Sequence, residues 1–490
     1  MPTAGDQARP KTDASFGVAL FFLALLPRLY VATRFAAEPV WDGHYYDFGA
    51  RRIAAGLGYS DDVQINGVLE WHPWCHYPVG YSAFLGALYR VFGSDLRVAA
   101  VGDAVTGALL AIVTWLLARL ALSPTRAKVA GALVAFNPGL ILYAALVMTE
   151  PLASLLTLVA FWLAARDRAR PWRGLVVGAL ALGVAALVRP QALLCAPFLA
   201  FVVMRPWRKL HVLGRAWRVG AVVIACAIAL VPVLPWTARN CARMDGCALV
   251  STNAGWNLAI GAFPRATGRF ETLRSSDGCR EVTGQVQQDR CWLHYGVDQI
   301  EQHPVHWLSL LPAKLGFTFD HESFAVEYLH EARPSAWPEQ RRVNGRALMT
   351  LAHRVLLCAA ALGAVAFMRR GRGRGTQAVL LLVIGGLIAL AINADSPTFW
   401  PLAIFVCVVP WLPLPGAPAR PPALSLALAL LLTTALTHAV FFGEDRYHVV
   451  ATPVLCLLAA AAFRTPETKR PETKRRERGS LAAAAPLSKA

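Results

Sequence analysis

The sequence has 490 residues, 56% of them hydrophobic, and carries 48 Lys+Arg against 30 Asp+Glu for a formal net charge of +18. Mean hydropathy is nonetheless positive, and repeated apolar runs of about 20 residues match what a helix needs to cross the hydrocarbon layer, which excludes an ordinary soluble enzyme. The basic excess would suit nucleic acid if it gathered on one soluble face, and its distribution argues otherwise.

In chain order, the polar N-terminus (residues 1–13) leads into a first span expected to be retained, since no clear small-residue cleavage site follows it. Twelve spans are predicted, at 14–33, 98–118, 129–147, 150–165, 174–188, 190–204, 217–236, 347–368, 376–393, 397–413, 423–442 and 447–463. With the N-terminus inside, the inner loops hold Arg119, Arg126 and Lys128; Arg166, Arg168, Arg170 and Arg173; Arg205, Arg208, Lys209, Arg215 and Arg218; and Arg369, Arg370, Arg372 and Arg374. The short outer turns carry only Arg189 and Arg446. This asymmetry sets the topology and meets anionic headgroups, so the bilayer is the expected partner and nucleic acid is not.

The sequence therefore predicts an all-α polytopic membrane protein with both termini cytoplasmic. Its parts are a membrane module over 14–236 with an outer loop at 34–97, a large periplasmic loop at 237–346, C-terminal spans at 347–463 and a basic tail from 464 to 490. That tail repeats PETKR at 466–470 and 471–475 and is expected to be disordered. The Ala/Arg/Leu-rich composition leans towards a bacterial inner membrane. No duplication beyond this pentapeptide is visible, unlike transporters built from inverted repeats.

The two long outer segments are where function is expected to gather. After the first span, Gly43 to Gly56 has helical spacing and stops at Gly56 and Gly58. A second short helix, beginning at His76, is expected to lie along the interface with Tyr77, Tyr81, Phe84 and Tyr89 at headgroup depth. A further surface-lying helix is expected after His303, anchored by Trp307. The Gly/Asn/Thr-rich stretch 238–268 reads as an irregular loop able to close over a cavity.

Asp42 follows the first span by about nine residues, near the outer headgroup boundary, where a partly desolvated carboxylate suits a general base. An aspartate just before a helix is also a common N-cap. Its company favours chemistry: His44, Tyr45 and Tyr46 are close, and Arg51 and Arg52 follow on the same helix, as a solvated or phosphate-facing pair. Glu150 sits in a turn between two spans, where a carboxylate needs a partner or a task, or caps a helix together with Thr149. Arg189, Arg239 and Arg446 all lie at the outer face and are expected to converge on an anionic group; singly, each reads as a snorkelling anchor, as does Arg28.

Cys195, Cys226, Cys358, Cys407 and Cys456 lie within predicted spans, while Cys75, Cys241, Cys247, Cys279 and Cys291 lie outside. An oxidising exterior permits Cys241–Cys247 and Cys279–Cys291 bridges with Cys75 left over; free thiols throughout is the competing reading. No metal-spaced Cys/His set is present among these cysteines.

Together these pieces resemble the GT-C fold glycosyltransferases of the protein mannosyltransferase and aminoarabinose transferase type. That family opens on Asp-Glu-x-x-Tyr-x-x-x-Ala and a glycine turn, matched by Asp42, Tyr46, Ala50 and Gly56-Leu57-Gly58-Tyr59. A Tyr-Pro start to a surface helix ending in Phe-Gly is matched by Tyr77-Pro78 through Phe92-Gly93. Thr149-Glu150-Pro151, Arg189-Pro190, Pro235-Trp236 with Arg239-Asn240, Ser251-Thr252-Asn253 with Asn257, and Arg446-Tyr447-His448 follow in order, up to about residue 463. Gly43 stands where the family has its second acidic residue, and His76 where a lysine often precedes the proline motif.

The resemblance implies a GT-C fold of about twelve spans with short interfacial helices in two outer loops. It also implies a polyprenyl-phosphate sugar donor and an envelope lipid, glycan or protein as acceptor. Asp42, with Glu150, would serve catalysis by inverting displacement; Arg239, Arg446, Arg189 and His76 would hold the donor phosphate. Tyr45, Tyr46, Tyr77, Tyr81, Asn253, Asn257 and His448 would line the cavity. No cofactor is expected, because no nucleotide-binding glycine loop is visible and the donor is already activated; nothing in the sequence requires a metal, and divalent dependence stays open. Two other readings are a lipid-linked oligosaccharide flippase, which would form no covalent product, and an O-antigen ligase-like enzyme, which would not need Asp42.

Overall fold

The computed structural model describes residues 8–65, 67–204, 215–368, 374–393, 398–412 and 420–463. The inner-loop residues Arg205, Arg208, Lys209, Arg369, Arg370 and Arg372, and the repeated tail, lie outside the described residues.

The first helix, α1 (Ala8–Phe35), leads to α2 (Asp42–Ala54), which ends where Gly56 and Gly58 take positive φ, 81° and 71°, and reverse the chain. There follows a hairpin of β1 (Ser60–Ile65) and β2 (Val68–Pro73), antiparallel, with Ser60 opposite Pro73 and Ile65 opposite Val68. This hairpin departs from the all-α expectation. Next come α3 (Val79–Phe92), α4 (Leu96–Arg119), α5 (Pro124–Ala135), α6 (Pro138–Leu142), α7 (Glu150–Arg166) and α8 (Pro171–Val188). The segment Pro190–Val202 contains α9 (Ala196–Leu199), and α10 (Arg215–Leu230) with α11 (Leu234–Arg243) completes the first membrane half.

The large loop that follows holds α12 (Ala254–Ile260), α13 (Gln285–Gln302), α14 (Pro304–Ser309), α15 (Leu311–Phe319) and α16 (Phe324–Ala332). The chain then returns through α17 (Glu339–Met368), α18 (Arg374–Asn393), α19 (Trp400–Val408), α20 (Pro422–Val440) and α21 (Thr452–Ala462). Every predicted span coincides with a helix or a broken helix. Among the described residues five helices are long and apolar enough to cross a membrane, or seven if each of two bent pairs is one span. The remaining predicted spans are shorter helices, so length and composition support a polytopic helical protein without establishing a count of twelve.

One bent pair explains a buried charge. α5 and α6 meet at 51°, because Pro138 has no N–H to donate to the carbonyl four residues back, that of Val134. Arg28 of α1 supplies the donors instead: its guanidinium bonds the carbonyls of Val134 at 2.9 Å, Ala135 at 2.8 Å and Ala24 at 2.8 Å. Gly107 of α4 makes room, since a Cβ there would lie 2.5 Å from Arg28 Nε. Arg28 is fully buried and so does not snorkel to the outer headgroups as expected.

α2 and α3 pack together below the hairpin. The buried positions of α2, including Gly43, Tyr46, Asp47 and Ala50, recur at helical spacing and form its inner face. Tyr81 and Tyr89 of α3 are buried rather than at headgroup depth: Tyr81 donates to Asp103 at 2.7 Å and Tyr89 to Asp47 at 2.5 Å. Arg51 pairs with Asp47 at 2.6 Å, and Arg52 with Asp62 at 2.6 Å and Ser60 at 3.0 Å. The Arg51 pair lies within α2, whereas Arg52 fastens the helix to the hairpin.

The disulfides Cys241–Cys247, at the end of α11, and Cys279–Cys291, in the large loop, are formed, and Cys75 is free and buried. A second apolar core, containing Phe263, Leu273, Cys279, Trp292, Phe442 and Tyr447, joins this loop to the segment that precedes α21.

Candidate active site

Asp42 opens α2 but does not cap it: Trp41 occupies the N-cap position, and no side chain caps that helix end. Trp41 has φ 51°, the sole positive φ of a non-glycine among the described residues, a sparsely populated conformation that elsewhere gathers at functional sites. The Asp42 carboxylate, 24% exposed, is instead held by two donors from distant parts of the chain. Tyr77 donates its hydroxyl to Oδ1 at 2.8 Å, and Arg446 donates a guanidinium N–H to Oδ2 at 2.6 Å. Burial alone would raise the Asp42 pKa, but the Arg446 charge with the Tyr77 and Arg446 hydrogen bonds outweighs it and holds the carboxyl below the usual aspartate value.

Arg446 is shared. Its Nε lies 2.5 Å from Glu444 Oε2, and its guanidinium lies over the rings of Phe324 and Tyr447, at 5.0 and 5.1 Å from their centroids. Burial pushes the Glu444 carboxyl up to about 7 against the pull of Arg446. Beyond Tyr447, Arg189 stacks on the same ring at 5.6 Å and pairs with Glu150 at 3.3 Å. Glu150 begins α7 fully buried, and neither it nor Thr149 forms a side-chain cap. Two arginines therefore face three carboxylates across one tyrosine.

An aromatic wall flanks the carboxylate. Tyr45, 47% exposed, stacks on Tyr77 at 5.5 Å and lies 6.0 Å from Trp74. Tyr46 is buried and packs edge-on to Tyr77 at 5.2 Å. Trp41 faces Phe324 at 5.4 Å on the other side. Such a surface suits the apolar faces of a sugar ring or the first units of a prenyl chain.

His76 packs edge-on to Tyr77 at 4.9 Å and lies 6.1 Å from Trp256. Burial lowers its pKa, with Asp42 opposing, so the imidazole is neutral at neutral pH. The Thr252 N–H donates to the Cys75 carbonyl at 3.0 Å. That bond joins the stretch bearing Asn253, which accepts from Ser251 at 3.0 Å, to the segment of His76, and Asn257 follows on α12, whose Trp256 faces His76.

Other expected site residues are placed elsewhere. Arg239 does not converge with the other two arginines: it donates to the Tyr59 carbonyl at 2.6 Å and the Trp74 carbonyl at 3.0 Å and stacks on Trp236 at 4.7 Å, fastening α11 to the hairpin base. Tyr81 is spent on Asp103, and His448 is fully buried against Glu322. Glu444 and Phe324 join the site without being among the expected residues. The signal for the first was the acidic pair Glu444-Asp445 directly before Arg446; for Phe324 there was none, because its role depends on how α16 folds back.

The Gly43 departure has a steric cause. A Cβ at this position would lie 2.4 Å from the Tyr328 hydroxyl and 2.9 Å from the Val147 carbonyl. No acidic side chain fits there, and the further carboxylates of the neighbourhood are Glu444, on Arg446, and Glu150, on Arg189.

Residues 76–236 match the family model of dolichyl-phosphate-mannose-protein mannosyltransferase, about a third of the chain. The match bears out the resemblance to membrane glycosyltransferases of the GT-C class; it takes in Tyr77, Glu150 and Arg189 but not Asp42 or Arg446. No curated protein matches the sequence. Among solved structures the chain is similar to the Archaeoglobus fulgidus oligosaccharyltransferase tethered with an acceptor peptide, at 13% identity and TM-score 0.44, covering 96% of this chain and 52% of that one. It is also similar to ArnT from Cupriavidus metallidurans in the apo state, at 16% identity and TM-score 0.35 over 97% and 81%, and bound to undecaprenyl phosphate, at 16% and 0.34 over 96% and 81%. The chain spans about half the length of the oligosaccharyltransferase it matches.

Proposed function

We propose that the chain is a membrane glycosyltransferase moving a sugar from a polyprenyl-phosphate donor to an envelope lipid, glycan or protein, at the outer face of a bacterial inner membrane. The observation that carries this reading is the clasp on Asp42, a partly open carboxylate held by Tyr77 and Arg446 beside an aromatic wall. The family description, which names a lipid-phosphate sugar, supports the donor class.

Asp42 is a poor base while Arg446 holds it, because a depressed pKa means weak proton affinity. Arg446 is also the natural partner of a phosphate, since its fork fits phosphate oxygens as well as carboxylate. When donor phosphate reaches the site, Arg446 turns to it, with Arg189 behind, and Asp42 regains affinity for a proton. The acceptor hydroxyl or amine then attacks the anomeric carbon opposite the phosphate. The new bond forms as the bond from that carbon to phosphate oxygen breaks; the acceptor proton passes to Asp42 and the electron pair leaves on the phosphate. A single displacement of this kind inverts the anomeric centre. Charge stabilisation by the arginines in a water-poor site is the largest contribution expected.

The test is mass spectrometry of envelope lipids and glycans from cells carrying the wild-type chain or Asp42→Asn, with NMR of the transferred sugar. A glycan unit present only with the wild type, with its anomeric configuration inverted relative to the donor, supports the reading. Identical envelopes, or retained configuration, contradict it.

A further inference from the structure

A second constellation lies apart from the Asp42 clasp. Glu322 in the turn between α15 and α16, His353 in α17 and His448 just before α21 bring one carboxylate and two imidazoles together, the rings fully buried and the Glu322 side chain 6% exposed. Both rings are held from behind. His353 Nε2 lies 2.9 Å from the Phe319 carbonyl, and His448 Nδ1 lies 2.8 Å from the Thr318 carbonyl. A carbonyl only accepts, so each ring carries its proton on that outer nitrogen.

The inner nitrogens are then bare lone pairs, and both face Glu322 Oε2, at 3.9 Å for His353 Nδ1 and 3.3 Å for His448 Nε2. His353 Nδ1 is buried without a hydrogen-bond partner. Three acceptors directed at one another repel unless something positive lies between them. One proton on Glu322 would satisfy one ring and leave the other orphaned, whereas a cation satisfies all three.

We infer that Glu322, His353 and His448 bind a divalent cation of the zinc class. Two imidazole nitrogens and one carboxylate oxygen are a zinc donor set, and imidazoles backed by backbone carbonyls have the outer support such ligands usually show. One ligand atom from each residue lies within 4.8 Å of the others, so bonds of about 2.0–2.2 Å to a shared centre require the side chains to close by less than about 1 Å. Three protein ligands leave a fourth position open. Asp445, which accepts from the Ser323 hydroxyl at 2.8 Å and the Phe324 N–H at 2.9 Å, stands beside the cluster and adds a second negative charge to balance the ion. A cavity of about 810 Å³ lined by His321, Thr350 and Arg354 reaches the same turn, where Thr350 donates to the Glu322 carbonyl at 3.2 Å, and offers a way in. His448 follows Arg446 by two residues, so the ion fixes the turn that presents Arg446 to Asp42.

The test uses the full chain purified in detergent, stripped with chelator, loaded with Zn²⁺, desalted and measured for metal content. Wild type and Asp42→Asn are expected to hold about one zinc per chain, and Glu322→Gln and His353→Ala to bind at least about tenfold more weakly. Because these variants can fail to fold, wild-type chain is also loaded with Co²⁺. An intense visible d–d spectrum of a tetrahedral nitrogen/oxygen site supports the inference. Wild-type chain that stays metal-free after loading, the weak spectrum of hydrated Co²⁺, or equal zinc in folded Glu322→Gln would overturn it. Metal content is read without any transfer assay, so its failure is separate from failure of the glycosyltransferase reading.

Discussion

Arg446 does two jobs that conflict at Asp42: it keeps a carboxylate charged in a half-buried place, and by doing so it makes that carboxylate a weak base. The conflict predicts a pH signature. A depressed native pKa means that the ion pair stabilises the fold above the unfolded aspartate pKa and that this stabilisation is lost as pH falls through the native value. The Asp42 limb of any activity profile should accordingly lie below the ordinary aspartate value of 3.8 in the resting clasp. In Arg446→Leu, only the Tyr77 hydrogen bond and the Arg189 charge still oppose burial, and the limb should move up, which a pH–rate profile of the variant reads directly; an unmoved limb would mean that Arg446 does not set it. The same variant should also lose about 10²–10³ in rate at neutral pH if the guanidinium stabilises the departing phosphate. Gly43 offers a steric counterpart. Gly43→Ala places a methyl 2.4 Å from the Tyr328 hydroxyl, and a shift of the α2 start should cost about 1–3 kcal/mol, seen as a lower melting temperature, while displacing Asp42.

At the scale of elements, the break between α5 and α6 illustrates how a buried arginine is made tolerable. Its partners are carbonyls that proline and the bend leave without donors, so neither side is satisfied without the other. Arg28→Met keeps the length and loses the donors; each orphaned carbonyl costs about 1–3 kcal/mol, and a clear fall in thermal stability of the detergent-solubilised chain is expected, against little change if water fills the gap.

Much of this level was legible in the sequence, and the failures have causes. Apolar runs placed the spans, and Gly56 and Gly58 marked the end of α2. The hairpin was missed although Asn66-Gly67, a strong two-residue turn signal, stands between short β-prone runs, because an all-helical expectation hid it. Nothing in the sequence marks Arg28 as other than a snorkelling anchor or Arg239 as other than a phosphate ligand, since their partners, backbone carbonyls up to 180 residues away in sequence, carry no residue-type signal. Asp42, Tyr77 and Arg446 were each visible as single residues, but their meeting was not: Arg446 is 404 residues from Asp42, and only packing brings it there.

Across the whole molecule, the long loop between the two sets of membrane helices is packed into the site. Its apolar core shares Tyr447 and Phe442 with the segment leading to α21, and Tyr447 lies between Arg446 and Arg189. The Cys279–Cys291 bridge, closing a separation of 12 residues, is part of that core. Reduction should therefore cost about 2–4 kcal/mol and lower the melting temperature of the purified chain, with transfer falling alongside; unaltered melting with dithiothreitol would separate the loop from the site. On the proposed function, the membrane helices, the loop and the long-range clasp would together hold an ionised aspartate where a lipid-anchored sugar and its acceptor can both reach it.

The most direct measurement is transfer by purified, reconstituted protein from polyprenyl-phosphate sugars, comparing wild type with Asp42→Asn, which preserves shape and the Tyr77 contact while removing the base. A drop of about 10²–10⁴ in rate, with donor binding largely kept, is what the account predicts. Transfer by the asparagine variant at the wild-type rate would contradict it.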